Sequence, residues 1–198
     1  MSPGRLGVEA FPVFTIGHST RTIAEFVELL QAGEVRLVVD IRRMPRSRTN
    51  PQYNLDVLPV ELEPFGIAYM RIGELGGLRV ESANIPAEVN GFWSNRSFHN
   101  YADYALSGEF RSGFSQLLDA SAAQRTAIMC AEAVWWRCHR RIVADYLIDA
   151  GRSVYHLMGT NEVIPAALTK AAVPAGNGLH YPAEEAKAWP PSPKLGSK

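Results

Sequence analysis

A chain of 198 residues with 46% hydrophobic content is sized for one globular domain plus a tail. Its 20 basic and 20 acidic side chains cancel, which excludes bulk charge as a guide to any partner. No apolar run approaches the ~20 residues of a membrane span, so no membrane partner is expected. Residues 1–7 carry no hydrophobic leader, and the two cysteines match no disulfide scaffold. A cytoplasmic, reducing setting is therefore expected. All sixteen arginines precede the four lysines, Lys170, Lys187, Lys194 and Lys198. Arginine offers a flat, bidentate donor for phosphate or carboxylate, although a genome that favours arginine and alanine codons explains the bias better.

In chain order, Phe11–Gly17 reads as a first strand. His18–Thr22 turns into a helix with Ile23, Phe26, Val27 and Leu30 on one face; Thr22 with Glu25 fits a capping box and Gly33 the stop. Val35–Ile41 is a second strand, apolar on both faces near its end as a central parallel strand should be. The loop Arg42–Pro51 holds four arginines in seven residues, and Ser47 lies among them. A short helix over Leu55–Phe65, limited by Pro59 and Pro64, leads to a third strand at Ile67–Ile72. Gly73–Ser97 reads as a long irregular loop containing Gly76-Gly77, of the length that usually carries function. Two helices around Tyr101–Leu106 and Phe110–Ala120 precede a fourth strand at Thr126–Cys130. A further helix ends near Gly151, and a fifth strand spans Ser153–Met158. The Pro/Gly/Ala-rich run from Val173 lacks a hydrophobic period. Residues 1–172 are therefore expected as a single domain and 173–198 as a flexible tail.

Strands alternating with helices imply a three-layer α/β domain with a mostly parallel, Rossmann-like sheet. Right-handed crossovers gather every strand-to-helix turn on one edge. With the order 3-2-1-4-5, strands one and four flank the crevice where ligands bind, and His18 faces Cys130.

The segment Cys130–Arg141 holds both cysteines, Glu132, His139 and three arginines. Cys130, at the end of an apolar strand, is either a nucleophile or a small buried hydrophobe. Its spacing to Arg137 encloses six residues and departs from the five of a cysteine phosphatase loop. Cys138, read at a helix start, is expected to be the more reactive thiol. No Ser, Thr, Asp or Asn stands immediately before Arg137. Either Glu132 folds back as the cap, or an anion docks at the helix start beside His139 and Arg140. Arg141 reads as half of a surface pair with Asp145. A metal held by the cysteines, His139 and His18 is not expected, because adjacent Cys138 and His139 seldom both reach one ion. A Cys130–Cys138 disulfide is disfavoured in a reducing setting. His18 is an acid, base or phosphate ligand, or else orders its own turn. Asp40 with Arg42 is a salt-bridged structural pair or part of the site.

Five motifs in order, Thr15–Ser19, Val39–Arg42 with Pro45 and Ser47, Leu75–Gly77, Phe98/Tyr101/Tyr104, and Cys130/Glu132 with Cys138–Arg140, resemble the DUF 488 family from about Phe11 to Met158. The resemblance implies an α/β fold and a site built from these motifs, with no established reaction and no named cofactor. Trp135-Trp136 stands where many members carry a proline.

The reading is an enzyme acting on a phosphate-bearing or nucleotide-like anion, with Cys130, Glu132, His18 and Cys138 as catalytic candidates. Ser19, Asp40, Arg42, Arg43, Ser47, Gly76, Gly77, His139 and Arg140 are the ligand-binding candidates. His18, Asp40, Glu132 and His139 are expected to line one cavity. The alternatives are a nucleic-acid-binding module using the Arg42–Arg48 and Phe92–Phe98 loops, and a thiol or metal site of structural or redox-sensing type.

Overall fold

A computed structural model describes residues 10–159 and 162–183. Its centre is a six-stranded sheet of β1 (Val13–Gly17), β2 (Leu37–Asp40), β3 (Ala68–Arg71), β4 (Thr126–Cys130), β5 (Val154–Gly159) and β6 (Glu162–Pro165). The first five strands pair in parallel, and β6 closes one edge antiparallel to β5. Five helices cover it: α1 (Ile23–Ala32), α2 (Leu58–Leu62), α3 (Arg96–Ala105), α4 (Gly108–Ala123) and α5 (Arg140–Asp149).

The two-residue period of the strands divides the core into two layers. Phe14, Ile16, Val38, Ala127 and Met129 pack with Phe26, Leu30, Leu58 and Leu62 of α1 and α2. Val13, Leu37, Val39 and Ile128 face Tyr101, Phe110, Leu117, Val143 and Leu147 of α3, α4 and α5. This is the three-layer α/β fold that the alternation of elements implies. Thr22 and Glu25 form the expected capping box at the start of α1. Gly151 takes φ 78°, the left-handed stop expected after α5.

The strand order is 3-2-4-1-5-6, not 3-2-1-4-5. β4 inserts between β2 and β1 instead of lying outside β1. Every residue of β1, β2 and β4 is buried, so apolar content marks them all as central without ordering them. The consequence favours a site at β4. The chain leaves β1 and β2 for α1 and α2 on one face, but leaves β4 for α5 on the other. The carboxyl end of β4 is thus a switch point on both sides.

The tail boundary at 173 is corrected. β7 (Val173–Ala175) and β8 (Gly178–His180) pair as a hairpin. Leu179 and Tyr181 are fully buried in the α3–α5 layer. Tyr181 donates its hydroxyl to the Asp145 carboxylate at 3.1 Å, and its backbone N–H reaches Val89 O and Asn90 Oδ1. The hairpin thereby ties the 73–97 loop to α5. Residues 184–198 of the expected tail lie outside the described residues. Among the described residues no helix is long and apolar enough to cross a membrane.

Candidate functional site

Parallel register brings the ends of β1, β2 and β4 level. Gly17 pairs with Cys130 and Asp40 with Met129. The turns beyond them stay bonded: His18 N–H donates to Cys130 O, Ser19 N–H to Ala131 O, and Ile41 N–H to Met129 O. Gly17 is required here, because a Cβ would overlap the Glu132 carbonyl oxygen and lie 2.7 Å from its carbon.

Beyond β4 the chain makes a tight turn at Trp135–Arg137 before α5. Arg140 holds this loop from inside. It is 1% exposed, and its guanidinium donates to the carbonyl oxygens of Glu132 and Ala133. Cys138 is extended (φ −126°, ψ 144°) and His139 helical (φ −56°, ψ −20°). That change of direction points the two adjacent side chains into one space. His139 Nδ1 lies 3.7 Å from Cys138 Sγ and 3.8 Å from Cys130 Sγ, while Nε2 is 3.1 Å from Ile41 O. The three donor atoms, two sulfurs and one nitrogen, lie within 4.8 Å of one another. Adjacent Cys138 and His139 therefore do converge, and the argument from adjacency against a shared ion fails.

These groups floor a cleft of about 360 Å³, walled by Arg42, Arg43, Gly77, Ser97, Phe98, Glu132 and Arg137. Gly77 lies directly against the imidazole, where a Cβ would sit 2.8 Å from His139 Nδ1. The glycine loop is clamped onto α3 by Tyr101 and Tyr104, whose hydroxyls donate to Leu75 O and Glu74 O at 2.7 and 2.6 Å. The Phe98/Tyr101/Tyr104 motif thus places the Leu75–Gly77 motif. A family model described as Domain of unknown function DUF488 matches residues 22–147, well over half of the chain. The chain belongs to the DUF488 family. No curated protein and no solved structure matches it.

Of the candidates read from this DUF488 sequence, Cys130, Glu132, Cys138, Arg42, Arg43, Gly77 and His139 meet in the cleft, whereas His18, Ser19, Asp40, Ser47, Gly76 and Arg140 do not line it. Asp40 is fully buried. It accepts bidentately from Arg42 at 2.6–3.1 Å and from Tyr69 at 2.7 Å. Arg42 also donates to Tyr53 O and faces His18 Nε2 at 3.1 Å. His18 stacks on Tyr53, and its Nδ1 lies 2.8 Å from Ser19 O. Burial, with the Arg42 charge beside it, lowers the His18 pKa, so this network holds a neutral ring behind the Arg42 wall. The expectation that His18 and Asp40 share the cavity with Glu132 and His139 is therefore corrected. Ser47 shapes its own loop through Asn54 and Asn50. Gly76 packs its backbone against Arg43.

Three further expectations change. The start of α5 is bonded internally, since Arg140 N–H meets Cys138 Sγ at 3.5 Å and the next two N–H groups turn back onto Cys138 O and His139 O. Arg141 does not pair with Asp145 at the surface. It donates to Thr169 Oγ1 and lies over Trp93, while Asp145 is buried beneath Thr169 and Tyr181. Trp93, within the Phe92–Phe98 loop that the nucleic-acid reading uses, is itself buried and stacked on Phe98.

The surroundings of the two thiols argue against their expected order. A hydrogen bond from Cys138 pulls Cys130 well below the usual thiol range, against its burial, and His139 and Arg140 add to the pull. Burial and the neighbouring Cys130 push Cys138 well above that range. Cys130 also opens on the cleft, with Cys138 deeper at 2% exposure. In timed iodoacetamide labelling read by mass spectrometry, Cys130 is expected to be modified first and Cys138 only afterwards; the reverse order would contradict this packing. Arg137 and Ser97 are cleft residues that the candidate set left out; Arg137 had a signal in lying between the two cysteines, whereas Ser97 had none, and Phe98 was named only through its motif and its loop.

Proposed function

We propose that the protein is an enzyme acting on a small anionic substrate, phosphate-bearing or nucleotide-like, in the cleft at the carboxyl end of β4. The observation that carries this reading is the placement of Arg43 and Arg137. Both are exposed on the cleft wall, and neither makes an ion pair among the described residues. They face a floor of two sulfurs and an imidazole. Cation, nucleophile and proton-carrying group within one cleft are the parts of a reactive site, not of a pure anion trap.

The roles follow from position. Arg43 and Arg137 hold negative charge, and Arg42, neutralised by Asp40, is a rigid wall. The reacting atom meets Cys130 and His139, and Glu132 on the exposed rim is the acid or base within reach. Arg43→Ala and Arg137→Ala are each expected to weaken binding of phosphate-bearing compounds about ten- to a hundredfold, the ~1.5–3 kcal/mol of a charge-assisted contact. Arg96→Ala, which removes only a surface pair with Glu81, should leave affinity unchanged. Calorimetry with a panel of nucleotides and sugar phosphates measures all three. If no anion binds the wild type, or if Arg96 matters as much as Arg43, the reading fails.

A further inference from the structure

We infer that Cys130, Cys138 and His139 form a mononuclear metal centre for a soft divalent ion of the zinc class, with its fourth position open to the cleft. The use of that ion on an anionic substrate rests on the function proposed above; the metal site itself rests on donor geometry.

Zinc takes sulfur at about 2.3 Å and imidazole nitrogen at about 2.0–2.1 Å, so a tetrahedral site needs S···N edges of about 3.5 Å. The two S···N separations are 3.8 and 3.7 Å. A contraction of a few tenths of an ångström closes those two edges, and the S···S edge, about 3.8 Å in a tetrahedral site and within 4.8 Å here, asks the sulfurs to draw together by up to about an ångström. The imidazole is already set for this. A carbonyl oxygen only accepts, so the 3.1 Å contact with Ile41 O places a proton on Nε2, and in the neutral ring the Nδ1 lone pair faces the sulfurs. A metal-bound histidine almost always has such an outer partner. The sulfur of Cys138 has one as well, the Arg140 N–H.

The frame around the donors is rigid. Cys130 ends the central strand β4, and Cys138 and His139 lead into α5. The loop between them is fixed by Arg140 through Glu132 O and Ala133 O. Gly77 keeps side-chain atoms away from Nδ1. Two thiolates and one imidazole select zinc over the oxygen-loving magnesium or calcium. Three protein donors beside a cleft match the catalytic class of zinc site, which keeps a position for water or substrate. When bound, the ion would supply Lewis acidity beside Arg43 and Arg137, and Cys130 and His139 would then act as its ligands and not as nucleophile and proton carrier, leaving Glu132 as the acid or base.

The test is titration of reduced, metal-stripped full-length protein with Co2+. One ion per chain is expected, with a thiolate-to-cobalt charge-transfer band and tetrahedral visible bands, both removed by Zn2+. Cys138→Ser and His139→Ala should each lose the charge-transfer band or weaken Co2+ binding more than about 100-fold, beyond the 10–100-fold cost of an outer-shell partner. His180→Ala, a histidine of the β7–β8 hairpin, should change nothing. Because Cys138→Ser could misfold, wild-type protein supplies a second readout: Zn2+ but not Mg2+ should protect both cysteines from iodoacetamide. A spectrum without thiolate charge transfer, Co2+ binding that survives Cys138→Ser, or labelling unaffected by Zn2+ would each overturn the metal site. Phosphate-compound binding is measured separately on the metal-free protein. Its failure beside a normal cobalt spectrum sinks the substrate reading and leaves the metal centre standing.

Discussion

Gly17→Ala is expected to destabilise the protein by about 3 kcal/mol, the upper part of the range for an overpacked core, and to remove the cleft with it. The added methyl would overlap the Glu132 carbonyl oxygen and approach Ala133 Cα to 3.0 Å. Both obstacles are backbone, so no side chain can rotate away. Either the end of β1 or the 131–134 loop must shift. The loop cannot shift alone, since Arg140 grips the same carbonyl. The register of Gly17 with Cys130 then fails, and with it the placing of the sulfur against His139. Urea unfolding measures the stability loss, and Co2+ titration measures the damage to the site. Gly176→Ala, with nothing within 4 Å of the added carbon, should stay within about 0.5 kcal/mol of the wild type. A Gly17→Ala protein as stable as the Gly176→Ala protein would refute the close approach of β1 to this loop.

The glycine at the end of β1 belongs to what the sequence could show. Gly17 follows an apolar run and precedes His18, so a strand-to-turn boundary was legible there, as it was at Asp40 and Cys130. The alternation of elements also specified layers, because each apolar strand needs a helix over each face. Strand order was not legible: β1, β2 and β4 are alike in being buried throughout, and nothing local distinguishes an inserted strand from an outer one. The β7–β8 hairpin was missed for a different reason. Its strands are three residues long, too short for a period, and its proline and glycines serve equally in a loop. What anchors it is the Leu179 backbone N–H, which donates to the Tyr146 hydroxyl, and the Tyr181 side chain, which donates to Asp145 across the fold.

The site was legible as a set of residues and not as a set of directions. Cys130, Cys138, His139, Gly77 and Arg43 were named from chemistry and all reach the cleft. The misplacements share a cause, because each depends on which way a side chain leaves a turn. Cys138 and His139 converge because the backbone passes from extended to helical between them, a change no spacing rule encodes. Asp40, two residues from Arg42, meets its guanidinium first and so turns away from the cleft, where Arg42 remains as a wall.

Arg140→Ala is expected to cost about 3–5 kcal/mol, whereas Arg141→Ala should cost about 1 kcal/mol. The neighbours differ by direction. Arg140 is fully buried, and its two Nη groups bridge consecutive carbonyls of the loop between the cysteines. Its removal strands two acceptors and empties a large volume under the site. Arg141 is half-buried, with one hydrogen bond to Thr169 and a stacking contact on Trp93. The loss is real but modest, since water can replace a hydroxyl partner near the surface. Arg140→Lys separates charge from shape. An ammonium keeps the positive charge behind the sulfurs but cannot span both carbonyls with a planar fork, so most of the alanine penalty should remain. Urea unfolding of the three variants, with hydrogen exchange across residues 131–139, reads the comparison. The loop should lose protection in Arg140→Ala and Arg140→Lys and keep it in Arg141→Ala. If Lys restored full stability, the charge of Arg140 and not its fork would be what holds the loop. Equal costs at 140 and 141 would mean that Arg140 does not clamp this loop at all.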